Sequence, residues 1–231
     1  MVKRLLLLSN SKDEEGGYLV YPESEVKDFL GKDVKKVLFI PYAQVLMSHD
    51  SFASQVEKRF NDMGYELESL HQSVDPLGAI VIGGGNTFVL LQHLYEIDIL
   101  DLIRRRVEQG VPYIGWSAGA NLASPSIMTT NDMPVIEFSS LNSFNFVPFQ
   151  INPHYFDHES DSKSQGETRE QRIKEFCLLN PNVFVVGLRE LTLLRVEGDE
   201  IKFVGSRNVK IFKGEEDKEH EPGSSLSFLL K

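Results

Sequence analysis

Short hydrophobic runs alternate with amphipathic stretches along the first half of the chain. The runs that predict buried strands lie at 3–8, 36–40, 65–70, 79–82 and 111–116. The amphipathic stretches predict helices at 23–30, 48–63, 87–95, 99–108 and from Ala118 onward. In the second of these helices Phe52, Val56 and Phe60 recur every four residues, which places them on one helix face. Alternating strands and helices indicate an α/β fold, doubly wound around a mostly parallel sheet.

The second half of the chain has shorter elements. Residues 127–149 are rich in loop-forming residues, and one further helix is predicted at 168–179. Short C-terminal strands are predicted at 183–188, 191–196, 201–204 and 209–212. From residue 214 the chain is charged, so we expect a loose tail over 214–231, of which 226–230 could dock as a sheet edge. Neither a linker nor an internal repeat divides the sequence, and we predict a single hydrolytic domain over 1–231.

Charge and cysteine content limit the classes of binding partner and the cellular compartment that we expect. The formal net charge is -10, and an acidic chain repels nucleic-acid backbones and anionic lipids, so we expect neither as a partner. The single cysteine, Cys177, allows no intramolecular disulfide and is interpreted as a buried small hydrophobe. The leucine run at 5–8 is too short for a signal peptide, and no stretch has transmembrane length. We therefore predict a cytoplasmic protein.

The candidate nucleophile is Ser117, in the run Gly115-Trp116-Ser117-Ala118-Gly119. This G-x-S-x-G run lies between a predicted strand and a predicted helix, which is the context of a nucleophile elbow. Glycines on both sides let neighbouring chain approach, and the sharp turn exposes the hydroxyl at the sheet edge. The alternative is an ordinary strand-to-helix turn with a serine N-cap. The context favours the nucleophile.

A second glycine cluster, Gly83-Gly84-Gly85, directly follows the strand predicted at 79–82. Successive glycines free backbone amides to face a reacting carbonyl, so we predict an oxyanion hole formed by Gly84 or Gly85 together with Ala118. Asn86, which follows the cluster, is a candidate substrate-binding residue. A phosphate loop is disfavoured because the run has neither G-x-G-x-x-G spacing nor a G-K-[ST] ending.

The serine needs a base, and His154 is the best placed histidine in the sequence. It follows Pro153, where the chain leaves an apolar stretch, so its imidazole can be held rigidly. A loop histidine with one backbone hydrogen bond is an equally good interpretation of the residues alone. His154, Asp157 and His158 together also suggest a metal site, but Pro153 and the polar stretch after them argue against a preformed cage. We predict no metal and no cofactor.

Two acids compete to orient the imidazole. Asp132 lies in Thr129-Thr130-Asn131-Asp132-Met133-Pro134, where it could instead form an Asx turn. Glu190 follows the strand predicted at 183–188 and so lies at a strand end, where it could instead be a solvated charge. The residues alone leave both open.

Seven runs in this order resemble one family, the peptidase E α-aspartyl dipeptidases. The runs are Leu5–Ser11, Phe39–Ala43, Gly83–Phe88, Tyr113–Leu122, Thr129–Pro134, Gln150–His154 and Gly166–Arg172. The resemblance implies a serine dipeptidase that cleaves Asp-X dipeptides, on a fold like that of class I glutamine amidotransferases. It also implies Ser117 as the nucleophile and His154 as the base. The third member falls on Glu190, which we favour because a strand end is a firmer mount, with Asp132 as its rival.

Substrate recognition is predicted around Arg169. Thr168-x-x-Gln171 matches a capping box, which places Arg169 in the first turn of a helix, where a cation opposes the macrodipole. A broken local rule of this kind often marks function. The resemblance implies that Arg169 binds the aspartate side chain of the substrate. Glu167 could then pair with the substrate's free α-amino group.

The chain departs from the family pattern at two places. Leu191-Thr192-Leu193 follows Glu190, where the family usually has Gly or Asn residues. The connection around 75–79 is also several residues shorter than usual in the family.

Two alternative functions stay open at this point. A cyanophycinase-like enzyme acting on β-aspartyl links would share the same machinery, and a non-catalytic binding protein would keep the site as a relic. A glutamine amidotransferase is disfavoured because those enzymes have cysteine where Ser117 stands.

Overall fold

The computed structural model describes residues 2–72, 78–157 and 166–231. Its strands are β1 (Arg4–Leu8), β2 (Lys36–Ile40), β3 (Glu66–Ser69), β4 (Ala79–Ile82), β5 (Tyr113–Trp116), β6 (Gln150–Tyr155), β7 (Val185–Arg189), β8 (Thr192–Glu197), β9 (Glu200–Gly205), β10 (Val209–Lys213) and β11 (Glu216–His220). Its α-helices are α1 (Glu23–Leu30), α2 (His49–Met63), α3 (Thr87–Glu96), α4 (Leu100–Glu108), α5 (Ala118–Asn121) and α6 (Arg169–Leu179), and a short 3₁₀ helix follows at Ser227–Leu230.

The larger sheet has seven strands in the spatial order β3-β2-β4-β5-β1-β8-β9. The five strands from β3 to β1 are parallel, whereas β8 runs antiparallel to β1 and β9 antiparallel to β8. This is the predicted α/β fold with a mostly parallel sheet, and the fold class is confirmed. The carboxyl ends of β1, β4 and β5 meet at one edge, which is where open α/β sheets bind ligands.

Helices cover both faces of this sheet, as the doubly wound prediction requires. In β1, Leu5 and Leu7 belong to the core cluster that contains the apolar residues of α3 and α4. Leu6 and Leu8 belong to the cluster on the other face, with those of α1 and α2. Parallel strands buried on both faces have continuous hydrophobic runs, which explains why these strands were visible in the sequence.

A second sheet, which the sequence analysis did not separate from the first, has the order β11-β10-β7-β6. Strand β6 is parallel to β7, and β10 pairs antiparallel with both β7 and β11. Strand β6 is not apparent in the sequence because Pro153 interrupts it. Proline cannot donate to a ladder and is tolerated at an edge, and β6 is indeed an edge strand with a register shift between Pro153 and Tyr155.

The predicted loose tail over 214–231 is corrected by the structure. Residues Glu216–His220 form β11 and pair with β10, and the side chains of Leu226 and Leu229 are buried in the main core. The pattern was misleading because β11 is charged along its length and joins the sheet through its backbone pairing with β10 and through ion pairs of Asp217 with Lys210 and of Glu219 with Arg189. The docking expected of 226–230 occurs as a 3₁₀ helix rather than as a strand.

Cys177 is buried, as predicted, in a small cluster with Tyr155, Ile173, Val185 and Phe212. Burial raises the pKa of its thiol to about 11, so the thiol stays protonated and unreactive at neutral pH. Within the described ranges, none of the helices is both long and apolar enough to cross a membrane.

Candidate active site

Ser117 occupies a sharp turn between β5 and α5. Its backbone has φ +53°, a left-handed conformation that is costly for a residue with a side chain. The turn is held by a hydrogen bond of 3.1 Å from the Ser117 amide to the carbonyl of Leu8 on β1. A Cβ atom at Gly119 would lie 2.3 Å from the carbonyl oxygen of Ile82, so only glycine fits behind the turn. This is the local geometry predicted for a nucleophile elbow.

His154 reaches Ser117 from the second sheet. Its Nε2 lies 2.9 Å from Ser117 Oγ. The residue lies on β6 with φ +54°, next to the register shift, and this kink aims the ring at the serine. The buried Ser9 fixes the kink, because its hydroxyl accepts a 2.8 Å hydrogen bond from the His154 amide and donates a 2.7 Å hydrogen bond to the carbonyl of Leu188.

Glu190 completes a continuous chain of hydrogen bonds. Its Oε1 lies 2.8 Å from His154 Nδ1, on the side of the ring opposite Ser117. Glu190 and Leu191 form the turn between β7 and β8, and Leu191 has φ +63°. Asn10 holds this turn, since its Oδ1 accepts a 2.9 Å hydrogen bond from the Leu191 amide.

Asp132 is not hydrogen-bonded to His154 within the described part of the chain. Its Oδ2 accepts hydrogen bonds from the Thr87 amide at 2.7 Å and the Thr130 hydroxyl at 3.2 Å, and also from the Thr87 hydroxyl. These bonds fasten the loop that contains Asp132 to the amino end of α3, where the helix dipole favours a negative charge. The geometry therefore favours Glu190 as the acid that orients the imidazole.

The glycine cluster lies against the elbow. A Cβ atom at Gly84 would lie 2.9 Å from the Cβ of Ser117, so the two backbones approach each other closely. Gln44 secures the loop with a 2.9 Å hydrogen bond to the Gly84 carbonyl. Among the residues that the structure describes, the amides of Gly84, Gly85 and Ala118 donate to no carbonyl. They are therefore available to an oxyanion, and their role as the oxyanion hole stays a prediction.

Asn86 uses its side chain to begin α3. Its Oδ1 accepts from the amides of Phe88 and Val89, both at 3.1 Å, and its Nδ2 donates to the Met133 carbonyl at 2.9 Å. Both polar ends are therefore committed inside the protein. Contact between Asn86 and a substrate stays a prediction.

Arg169 lies behind His154, at the start of α6. The predicted capping box of Thr168 and Gln171 is present and places Arg169 in the first turn. Its guanidinium donates to the His154 carbonyl and stacks over the ring of Phe156, 4.4 Å from the ring centroid. Burial lowers the pKa of Arg169, while the charges of Glu190 and Asp132 oppose that shift.

Arg169 lines a pocket of about 130 Å³ that differs from the pocket in front of the serine. Thr130 and Asn131 share this Arg169 pocket. Glu167 is exposed and pairs with Arg172 at 3.5 Å, so its contact with a substrate amino group stays a prediction.

The serine pocket, of about 300 Å³, lies in front of Ser117 and His154 and includes Gly84 and Gly85. Ser9 and Asn10, which hold the base and the acid in place, were not predicted as site residues from the sequence. The signal was present, because both follow directly after the buried strand β1, at the edge where ligands bind.

A metal site receives no support from the described residues. Across residues 2–72, 78–157 and 166–231, no group of three or more His, Cys, Asp or Glu side chains is arranged to hold a metal ion. Asp157 instead pairs with Arg189. His158, considered above as a ligand, and the short connection at 73–77 lie outside the described residues.

Comparisons with known proteins point to one family. The sequence profile of peptidase family S51 matches residues 5–204. The chain is 48% identical to "Peptidase E" of Nostoc sp. (strain PCC 7120), with 100% of this chain and 98% of the relative covered. It is 44% identical to a Drosophila melanogaster protein named "Probable alpha-aspartyl dipeptidase", with 99% of this chain and 98% of the relative covered. The solved structure of a peptidase from an acI-B1 Actinobacterium superposes with a TM-score of 0.72 at 21% identity, covering 99% of this chain and 98% of that one, and so shares the fold.

Proposed function

This chain belongs to peptidase family S51, and on that premise we propose that it hydrolyses dipeptides with an N-terminal aspartate through Ser117, His154 and Glu190. Membership of the family makes the protein a serine-type peptidase. The preference for aspartate is supported by the name of the Drosophila relative, an α-aspartyl dipeptidase. The predicted compartment remains the cytoplasm.

One observation carries the proposal: the hydrogen-bonded chain from Ser117 Oγ to His154 Nε2 and from His154 Nδ1 to Glu190 Oε1. With the ring proton on Nδ1, where it donates to the glutamate, Nε2 is free to accept the serine proton. The carboxylate fixes this tautomer and stabilises the imidazolium that forms. An intact chain of this kind also favours an enzyme over a non-catalytic relic.

The chemistry follows from these positions. As the Ser117 Oγ–H proton moves to His154 Nε2, Oγ bonds to the peptide carbonyl carbon and the carbonyl oxygen becomes an oxyanion. The C–N bond then breaks, and Nε2 gives its proton to the leaving amine. A water molecule, deprotonated by the same histidine, attacks the aspartyl ester, which releases aspartate and restores the serine hydroxyl.

The oxyanion is held by the amides of Gly84 or Gly85 and of Ala118. They are fixed before substrate arrives, because Gln44 holds the glycine loop and the elbow holds Ala118. Fixed donors in a partly dry site need no reorganisation during the reaction, so each is worth about 3 kcal/mol of transition-state stabilisation.

Arg169 supplies the charge that selects aspartate. A guanidinium binds a carboxylate bidentately, and partial burial strengthens the attraction by excluding water. Its contact with the His154 carbonyl keeps this cation close to the catalytic base. The substrate's side-chain carboxylate would then lie on the Arg169 side of the histidine.

The test is a panel of substrates with purified wild type and the Arg169→Met variant. We expect wild type to cleave Asp-Leu and to discriminate strongly against Asn-Leu, Ala-Leu and a β-aspartyl dipeptide. Arg169→Met should lose about 10- to 100-fold in the ratio of kcat/KM for Asp-Leu over Asn-Leu, the value of a charged hydrogen bond. Arg105→Met, which removes the same charge from the exposed face of α4, is the matched control.

Two outcomes of the panel would contradict the proposal. Cleavage of β-aspartyl links in preference to Asp-Leu would identify a cyanophycinase-like enzyme instead. Unchanged Asp-Leu over Asn-Leu selectivity in Arg169→Met would remove Arg169 from substrate recognition.

A further inference from the structure

The serine pocket has a local charge opposite to that of the whole molecule. The chain carries a net charge of -10, yet among the described residues that line this pocket there is one lysine, Lys12, and neither aspartate nor glutamate. Lys12 forms no ion pair with another described residue. Its acidic neighbours are engaged elsewhere, because Asp13 accepts from the Gly17 amide at 2.6 Å and Glu14 pairs with Arg207 at 2.9 Å. An unpaired cation facing a small cavity favours an anionic ligand there.

The backbone of Lys12 is held by the same residue that holds the catalytic acid. Asn10 donates from Nδ2 to the Lys12 carbonyl at 2.5 Å and accepts the Leu191 amide beside Glu190. Lys12 also pairs across a short bridge with Tyr18. The backbone of Lys12 is therefore held by the fold on the Ser117 side of the site, and its side chain extends from a fixed point.

Two neutral hydroxyl groups line the same pocket as Lys12. The Tyr18 hydroxyl is buried and makes no hydrogen bond of standard geometry, and both Tyr18 and Ser11 line the serine pocket. Burial raises the pKa of Tyr18 well above its usual range, so the phenol keeps its proton and can only approach an anion as a donor. Lys12, Ser11 and Tyr18 line the same pocket, and one ammonium group together with two hydroxyl donors is a donor set that suits a carboxylate.

We propose that Lys12, with Ser11 and Tyr18, binds the α-carboxylate of the substrate's leaving residue. This inference rests on the proposed function, which gives the substrate two carboxylates. The chain offers two cations in two different pockets: Arg169 behind His154, and Lys12 in front of it. If Arg169 binds the aspartate side chain, Lys12 is the cation that remains to bind the carboxylate at the other end of the dipeptide.

The remaining walls of the serine pocket fit a leaving residue. Met47, Phe52 and Trp116 give an apolar surface for its side chain, and the volume of about 300 Å³ lies at the small end of ligand pockets. Only a dipeptide presents a carboxylate one residue beyond the scissile bond. Recognition by Lys12 would therefore favour dipeptides over longer chains.

The experiment compares Asp-Leu, Asp-Leu-amide and Asn-Leu as substrates of wild type, Lys12→Met and Lys58→Met. The amide removes the α-carboxylate alone, and asparagine removes the side-chain carboxylate alone. Lys58 is an exposed lysine of α2 that does not line the serine pocket, so its variant controls for the loss of one positive charge. Circular dichroism melting checks that each variant is folded.

Wild type should prefer Asp-Leu over Asp-Leu-amide, and Lys12→Met should reduce that ratio of kcat/KM by about 10- to 100-fold through KM, as expected for a charged hydrogen bond. Lys58→Met should keep the wild-type ratio. An unchanged ratio in Lys12→Met overturns the inference, and so does a loss of Asp-Leu over Asn-Leu selectivity, which would assign Lys12 to the aspartate side chain. Absence of Asp-Leu cleavage by wild type would instead contradict the proposed function itself.

Discussion

Three residues other than glycine at the site adopt left-handed backbone conformations. Ser117, His154 and Leu191 have φ of +53°, +54° and +63°. Each such residue costs roughly 1–3 kcal/mol and persists only where its surroundings hold it. The surroundings are visible here: Leu8 holds the serine, Ser9 the histidine and Asn10 the leucine. Three successive residues, the last of β1 and the two after it, thus hold the strained residues of the site in place by hydrogen bonds.

Leu191 offers the cleanest test of this strain. Replacing an ordinary residue by glycine usually destabilises a protein, but at a left-handed position glycine avoids the Cβ clash. We therefore predict that Leu191→Gly is more stable than Leu191→Ala by about 1 kcal/mol in urea unfolding. The two variants truncate the same side chain, so their difference isolates the backbone. If the alanine variant is equally or more stable, the turn beside Glu190 is not strained.

At the scale of elements, the sequence predicted those helices and strands whose own hydrophobic pattern specifies them. Helix α1 and strands β2 and β4 have the predicted bounds, because the apolar residues of α1 have helical spacing, β2 and β4 are continuous hydrophobic runs, and glycine or proline flanks each element. Strands β6 and β11 were missed for a shared reason. Each is an edge strand whose own residues do not indicate a strand, because β6 contains Pro153 and β11 is a run of charged residues.

Which of the two acids can orient the imidazole depends on the elements that position them. Glu190 comes from the β7–β8 turn and contacts His154, while Asp132 fastens its loop to α3. We predict that Glu190→Gln lowers kcat for Asp-Leu on the order of 10³- to 10⁴-fold, because the imidazole loses its orienting charge. Asp132→Asn should keep kcat within about tenfold and cost about 1 kcal/mol of unfolding free energy at the helix terminus.

The comparison uses steady-state kinetics and urea melts of both variants. The reverse pattern, with the larger loss of kcat in Asp132→Asn, would mean that Asp132 rather than Glu190 supports the histidine during turnover.

At the scale of the molecule, the site is assembled where two sheets meet. Ser117 and the oxyanion glycines come from the large parallel sheet, and His154 comes from β6 of the small one. Ser117 was readable from its motif, because an elbow has a local signature, whereas His154 was indicated only by the family resemblance. Their contact could not be predicted in this way, since Ser9, just after β1, and Leu188 on β7 are far apart in the chain and join the two sheets only after folding.

The C-terminal segment is part of this same core. Because the side chains of Leu226 and Leu229 are buried against the large sheet, Leu229→Ala should lower the free energy of unfolding by about 2–4 kcal/mol. Leu179→Ala, at a leucine that is 84% exposed, should change it by less than about 0.5 kcal/mol. If urea melts show equally small changes in the free energy of unfolding for the two variants, the C-terminal segment is a loose tail, as expected from the sequence.

The most direct measurement of the central claim is Asp-Leu turnover by Ser117→Ala. Removing one hydroxyl leaves the pocket, the histidine and the fold in place but leaves no nucleophile, so kcat should fall on the order of 10⁶-fold while the melting temperature stays within a few degrees of wild type. A folded Ser117→Ala protein that still cleaves Asp-Leu within about tenfold of the wild-type rate would show that the reaction does not pass through this serine.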